Sequence, residues 1–130
     1  MIGELDEVEV ITLFVADVPA AKAFYQEVFG LPVVHEDADS AVVRLRNLLL
    51  NLLVADQAPG LVAPAPVAAP GTGVRALLTV KVADVEAVCA RLAEHGVKLL
   101  NGPVDQPWGR RTAAFADPSG HVWEVAQDLP

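Results

Sequence analysis

A single cysteine, Cys89, stands in a chain of 130 residues. It excludes an intrachain disulfide framework and fits a reducing, cytoplasmic setting. Long apolar runs are also missing. Apolar residues make up 53% of the chain, yet no run is long and unbroken enough to span a bilayer. The stretch Val10–Val18 is interrupted by Thr12 and Asp17 and lacks a basic leader. It reads as a strand rather than a signal peptide. Positive charge is scarce, with 9 Lys and Arg against 17 Asp and Glu and a net charge of -8. That balance argues against nucleic acid and anionic membranes as partners, because both attract basic surfaces. Its main consequence is solubility. The length suits one domain with a real core.

What the chain does have is a repeat. Its first half contains ITLFVADVPAAKAFYQEVFGLPVV and its second LLTVKVADVEAVCARLAEHGVKLL. Each reads as an apolar strand, Val-Ala-Asp-Val, a helical stretch, a glycine and a further strand. Asp17 and Asp84 occupy the same place. Each is a good helix N-cap, because its carboxylate accepts free backbone N–H groups of the first turn. Pro19 fits the first turn, where a missing N–H costs little. Gly30 and Gly96 end the helices, and His95 suits a helix C-terminus.

Helical spacing puts Ala21, Phe24 and Val28 on one face of the first helix, and Val85, Val88 and Leu92 on one face of the second. Both faces are expected to pack on a sheet. Cys89 lies beside the second stripe and reads as a small apolar residue, not a nucleophile. The strands expected after the helices are Pro32–Glu36, Ala41–Leu45 and Leu48–Val54, then Val97–Leu100, Arg111–Ala116 and His121–Ala126. Asp117-Pro-Ser-Gly120 is a hairpin turn. Each half is then β-α-β-β-β. Module one spans 8–54, a linker 55–73 and module two 74–127. The linker is rich in Ala, Pro and Gly and longer than most connections, which marks it as a candidate functional loop.

Two segments carry a family resemblance. VADVPAAKAFYQEVFGLPVV, with Phe24-Tyr25 and Phe29-Gly30, resembles the opening strand–helix signature of the vicinal oxygen chelate superfamily. FADPSGHVWEVAQ resembles its closing hairpin. That superfamily includes glyoxalase I, extradiol dioxygenases and bleomycin resistance proteins. The resemblance implies an α+β fold in which two βαβββ modules form a half-barrel sheet around a cavity, paired in a homodimer.

In metal-dependent members, the resemblance implies, a divalent cation is held by a His or Glu on the first strand and a Glu on the last strand of each module. The first-strand position lies seven residues before the capping aspartate, at Val10 and Leu77. Neither side chain can bind a metal. The last-strand positions fall near Asn51 and at Glu124. One carboxylate and one amide do not make a tight site. Glu9 is one residue from Val10 and therefore faces the other way. His35, His95 and His121 do not converge. No metal and no cofactor are expected.

Catalytic residues are not expected either. Ser40 and Ser119 lie beside turns without a nucleophile-elbow sequence, and Glu124 has no acidic partner. Taking the ligand positions that the resemblance implies as the inward phase and stepping by two along each strand gives the cavity-facing set. Its predicted ligand-binding members are Thr12, Phe14, Leu49, Asn51, Leu53, Thr79 and Glu124, a mostly apolar lining with a few polar groups. Trp108 and Arg110, from DQPWGRR, complete the set. Trp108 either offers an indole for stacking or packs its own loop down. Glu124 needs a ligand group or a cation, Arg110 or Arg111 being the expected partner. Trp123 is out of phase and expected beneath the helices.

The expected function is metal-free sequestration of a hydrophobic or aromatic small molecule. The ligand class is a planar natural product such as a bleomycin-like or enediyne antitumour antibiotic, and the outcome self-resistance. The alternative is a divalent-metal-dependent glyoxalase-like lyase, isomerase or dioxygenase. A metal-free enzyme with Glu124 as base, or a trough filled by its own side chains, are the remaining readings.

Overall fold

A computed structural model describes residues 1–130. The chain divides into two compact units, Met1–Thr72 and Gly73–Pro130. Unit one holds β1 (Val10–Val15), α1 (Val18–Glu27), β2 (Val33–Glu36), β3 (Ser40–Arg44), β4 (Leu49–Val54) and a short α2 (Pro59–Val62). Unit two holds β5 (Leu77–Lys81), α3 (Val85–Glu94), β6 (Leu99–Gln106), β7 (Arg110–Ala116) and β8 (Val122–Asp128).

Both units build the same mixed four-stranded sheet, ordered β1-β4-β3-β2 and β5-β8-β7-β6. The first strand runs parallel to the last, and the other neighbours are antiparallel. The α+β class and the two βαβββ units expected from the repeat are therefore observed.

The capping expectation also holds. Asp17 Oδ1 accepts from the Ala20 N–H at 2.9 Å, and Asp84 Oδ1 from the Ala87 N–H at 3.1 Å. Gln127 adds a contact that the sequence did not suggest. Its Oε1 accepts from the Val85 N–H at 2.8 Å and ties β8 to the start of α3. His95 is the C-cap of α3. Gly30 and Gly96 take φ of 71° and 74°, which a side chain would disfavour.

Each sheet buries the face that carries its helix. In unit one Leu13, Val15, Ala41, Val43, Leu50 and Leu52 are buried, and α1 packs on β3 and β4. The buried stripe of α1 is Ala21 and Tyr25 rather than one through Phe24 and Val28. Phe24 and Phe29 instead flank the Tyr25 ring at 5.2 and 5.1 Å. In α3 Val85 and Leu92 are buried as expected, with Val88 half-buried. Trp123, Val125, Ala113 and Phe115 form the buried face of the second sheet.

Most strand ends differ from the sequence reading by one or two residues, and three differences are larger or change the kind of element. β6 runs on through Gly102 and Pro103 to Gln106, where the reading stopped at Leu100. β6 lies at the sheet edge, where proline is tolerated. Its register shifts on both sides of Asn101. A Cβ on Gly102 would lie 2.5 Å from the Thr112 carbonyl oxygen, so only glycine fits there. DQPWGRR, read as a loop, is mostly strand. Gln106 pairs with Arg110, and only 107–109 form the turn. The span read as linker holds a 3₁₀ turn, Ala55–Gln57, as well as α2.

Candidate functional site

Strand alternation leaves each sheet a second face, opposite its helix. In unit one it holds the rows set by register. Val10 pairs with Leu49, Thr12 with Asn51 and Phe14 with Leu53. All five predicted residues of this unit share that face. Thr12, Phe14, Leu49, Asn51 and Leu53 are half-buried. In unit two Thr79 pairs with Glu124 and Ala114 lies on Glu124's other side. Arg110 and Asp128 are further along the same face, where Arg110 pairs with Asp128.

The two polar pairs occupy matching positions of the repeat but differ in chemistry. Thr79 Oγ1 donates to Glu124 Oε1 at 3.0 Å. Asn51 Nδ2 donates to Thr12 Oγ1 at 3.4 Å, long for a bond of this type. The other end of the amide, Asn51 Oδ1, is buried with no hydrogen-bond partner. A buried unpaired carbonyl oxygen forfeits its water without replacement.

The expected arginine partner of Glu124 is therefore corrected. Thr79 supplies the bond, while Arg110 Nε donates to Asp128 Oδ1 at 3.0 Å. Arg111 Nε donates to Asp105 Oδ1 at 2.7 Å. Arginines were the obvious cations by sequence, but Thr79 is Glu124's direct cross-strand neighbour. Asp128 was missed because β8 was ended at Ala126. The period of two from Glu124 through Ala126 would have found it.

Electrostatics concentrate around these pairs. The Lys81 and Arg110 bonds hold the Asp128 carboxyl below its ordinary range, Lys81 having the larger effect. Arg111 does the same for Asp105. Burial, with Glu86 nearby, pushes the Cys89 thiol up, away from the thiolate that a nucleophile requires.

Trp108 sits at the tip of the β6–β7 turn and is 66% exposed. It does not pack its loop down against the unit. Gly109 completes the turn with φ 85°. A groove of about 340 Å³ lies at the end of the first sheet, between residues 7–9 and 44–49. Leu49 is the one predicted site residue lining it.

A sequence profile of the Glyoxalase/Bleomycin resistance protein/Dioxygenase superfamily matches residues 7–125. The chain belongs to that superfamily. Solved structures of similar proteins span both enzymes and binders. A glyoxalase-related enzyme from Fulvimarina pelagi is 29% identical, with a TM-score of 0.82, over 95% of this chain and 89% of the other. TnmS3, an antibiotic binding protein from Streptomyces sp. CB03234, is 31% identical, with a TM-score of 0.72, over 95% and 97%. A lactoylglutathione lyase from Agrobacterium tumefaciens, at 21% identity and a TM-score of 0.75 over 94% and 93%, shares the fold. No curated protein matches the chain.

The superfamily includes metal-dependent enzymes, so the donor set of this member must be weighed against a divalent cation. It does not fit one. In unit one the positions are an aliphatic Val10 and the neutral amide of Asn51. In unit two they are an aliphatic Leu77 and Glu124, whose Oε1 already accepts a hydroxyl. Divalent cations need several charged or imidazole donors in fixed geometry.

No helix of the chain is long and apolar enough to cross a membrane.

Proposed function

We propose that this chain is a metal-free binding protein that sequesters a hydrophobic or aromatic small molecule without altering it. The ligand class is a planar natural product of the antitumour-antibiotic type, and the biological outcome self-resistance. The protein works as a cytoplasmic homodimer.

One observation carries the reading. On the open sheet faces Val10 in unit one and Leu77 in unit two stand at the first-strand positions where a metal-dependent member needs donors, and Phe14, Leu49 and Leu53 extend the apolar lining of unit one. Such a lining gains free energy by removing apolar ligand surface from water, roughly 25 cal/mol per Å². The few polar groups, Asn51, Thr79 and Glu124, orient a ligand rather than activate it. The 31% identity to TnmS3, an antibiotic binding protein, supports the same class.

The test is a tryptophan fluorescence titration against a panel of DNA-damaging natural products, followed by recovery and mass analysis of each binder. Tight binding with unchanged ligand is expected. Recovery of a converted product would overturn sequestration in favour of a glyoxalase-like lyase, isomerase or dioxygenase. So would stoichiometric uptake of Mn²⁺, Ni²⁺ or Zn²⁺ that Glu124→Ala abolishes. Light scattering checks the homodimer.

A further inference from the structure

β7 opens with two adjacent arginines, and strand alternation sends them to opposite faces. Arg111, on the helix side, is fully engaged. Its Nε and Nη2 donate to the two oxygens of Asp105 at 2.7 and 3.4 Å, and its Nη1 lies 3.6 Å from Glu86.

Arg110, on the open face, is used at one atom only. Nε donates to Asp128 Oδ1 at 3.0 Å, and neither Nη group bonds within the chain. Asp128 is itself shared, because its Oδ2 lies 2.8 Å from Lys81 Nζ. Two cations therefore face one anion at this end of the sheet, and the second anion of the face, Glu124, lies further along it in its bond with Thr79.

The consequence is orientation. The Nε bond restricts the swing of the guanidinium. Its two Nη groups remain as a planar pair of donors, the geometry that carboxylates match. The Arg110 side chain is 32% exposed, so the fork is reachable. Two residues earlier, at the turn of the same hairpin, the Trp108 indole stands 66% exposed. The turn is anchored, since Leu129 N–H donates to the Gly109 carbonyl at 2.9 Å. An apolar ring surface left in water two residues along the hairpin from a cation with free donors suits a flat molecule that carries an anion.

We propose that the end of the second sheet formed by Arg110, Lys81 and Trp108 is a binding site for a planar aromatic carboxylate. The inference rests on the sequestration reading and adds to it the charge and shape of a ligand group. Arg110 supplies the fork and Lys81 the second cation. Asp128 is a positioning residue, and Trp108 supplies the stacking surface.

The experiment compares naphthalene-2-carboxylate with naphthalene-2-carboxamide, which have the same ring and differ in charge. Quenching of tryptophan emission reports binding. The carboxylate is expected to bind about tenfold tighter or more, the gain of charged over neutral hydrogen bonds. Arg110→Lys keeps the charge but loses the fork, and should lose most of the preference. Arg110→Gln should remove it, bringing the two probes to similar affinity. Trp108→Leu should abolish the quenching. Equal affinity for the two probes, or a preference that survives Arg110→Gln, overturns the inference and leaves sequestration standing. Quenching that persists in Trp108→Leu places the site elsewhere and also overturns it. Sequestration itself is judged on the natural-product panel.

Discussion

Replacing Asn51 by leucine should stabilise the protein, contrary to the usual cost of a substitution in a sheet. Asn51 lies in β4, between Thr12 of β1 and Val42 of β3. Its Oδ1 is buried without a partner, and such an atom costs about 1–3 kcal/mol in lost hydration. Leucine has the same number of side-chain heavy atoms and removes that cost. The loss is one bond to Thr12, at 3.4 Å already long, worth at most about 0.5 kcal/mol. Thr12 is half-buried, so its hydroxyl can turn to water. The balance is a gain of about 1 kcal/mol. For 130 residues, an unfolding entropy of about 2.1 cal/mol/K per residue converts this to a rise in Tm of roughly 4 °C. Calorimetry and urea unfolding should agree, with an unchanged m-value. Thr12→Val should move stability by less than about 0.5 kcal/mol, whereas Thr79→Val, which breaks a shorter bond to a carboxylate, should cost about 1 kcal/mol. A fall of several degrees in Asn51→Leu would refute the argument, because Oδ1 would then have a partner worth keeping.

Two further outcomes test the framework around the sites. Gly102→Ala should destabilise by on the order of 2–4 kcal/mol, because φ is 87° and the new Cβ would lie 2.5 Å from the Thr112 oxygen. Chemical denaturation measures it, and a loss under about 1 kcal/mol would show that the β6–β7 hairpin gives way easily. Acid should weaken the fold through Asp37, Asp105 and Asp128. Their folded carboxyls titrate below the ordinary 3.8, so their contribution is complete above that value and disappears as pH falls through the lowered range. Thermal melts between pH 6 and pH 2.5 should show a decline below about pH 4. It should be shallower in Asp105→Asn, and an unchanged slope there would remove the Arg111 pair from the explanation.

The parts of the structure that the sequence foretold are those set by local chemistry. Val-Ala-Asp-Val fixes a helix start because one carboxylate meets the free N–H groups of one turn. Period-two alternation depends only on the pleat, so Thr12 with Phe14 and Asn51 with Leu53 were each legible as one face of a strand, while the family resemblance implied that the two strands share that face. What was not legible depends on pairing across the sheet. Which group meets Glu124 is decided by the parallel register that sets Thr79 opposite it. Nothing in the spacing of 45 residues between them states that register. The same applies to β6, where Gly-Pro reads locally as a stop but the edge position lets the strand continue in a broken register.

The repeat also supplies an internal comparison that separates scaffold from site. Positions that shape the backbone are the same residue in both units: Asp17 and Asp84 at the caps, Gly30 and Gly96 at positive φ. On the open faces Thr12 and Thr79 match, but other positions diverge. Where unit one has Phe14, unit two has Lys81; where unit one has the amide of Asn51, unit two has the carboxylate of Glu124. The first face is thus an apolar surface with one neutral polar group at its centre. The second carries two cations and two anions, Lys81, Arg110, Asp128 and Glu124, on one side of a sheet. A fold needing only to bury its core would have no use for that difference, because both helix-covered faces are already packed by aliphatic and aromatic side chains. The divergence falls on the surfaces that the helices leave uncovered. Within unit two that divergence leaves Arg110 with both Nη groups unspent on the open face, the feature on which the proposed carboxylate site rests.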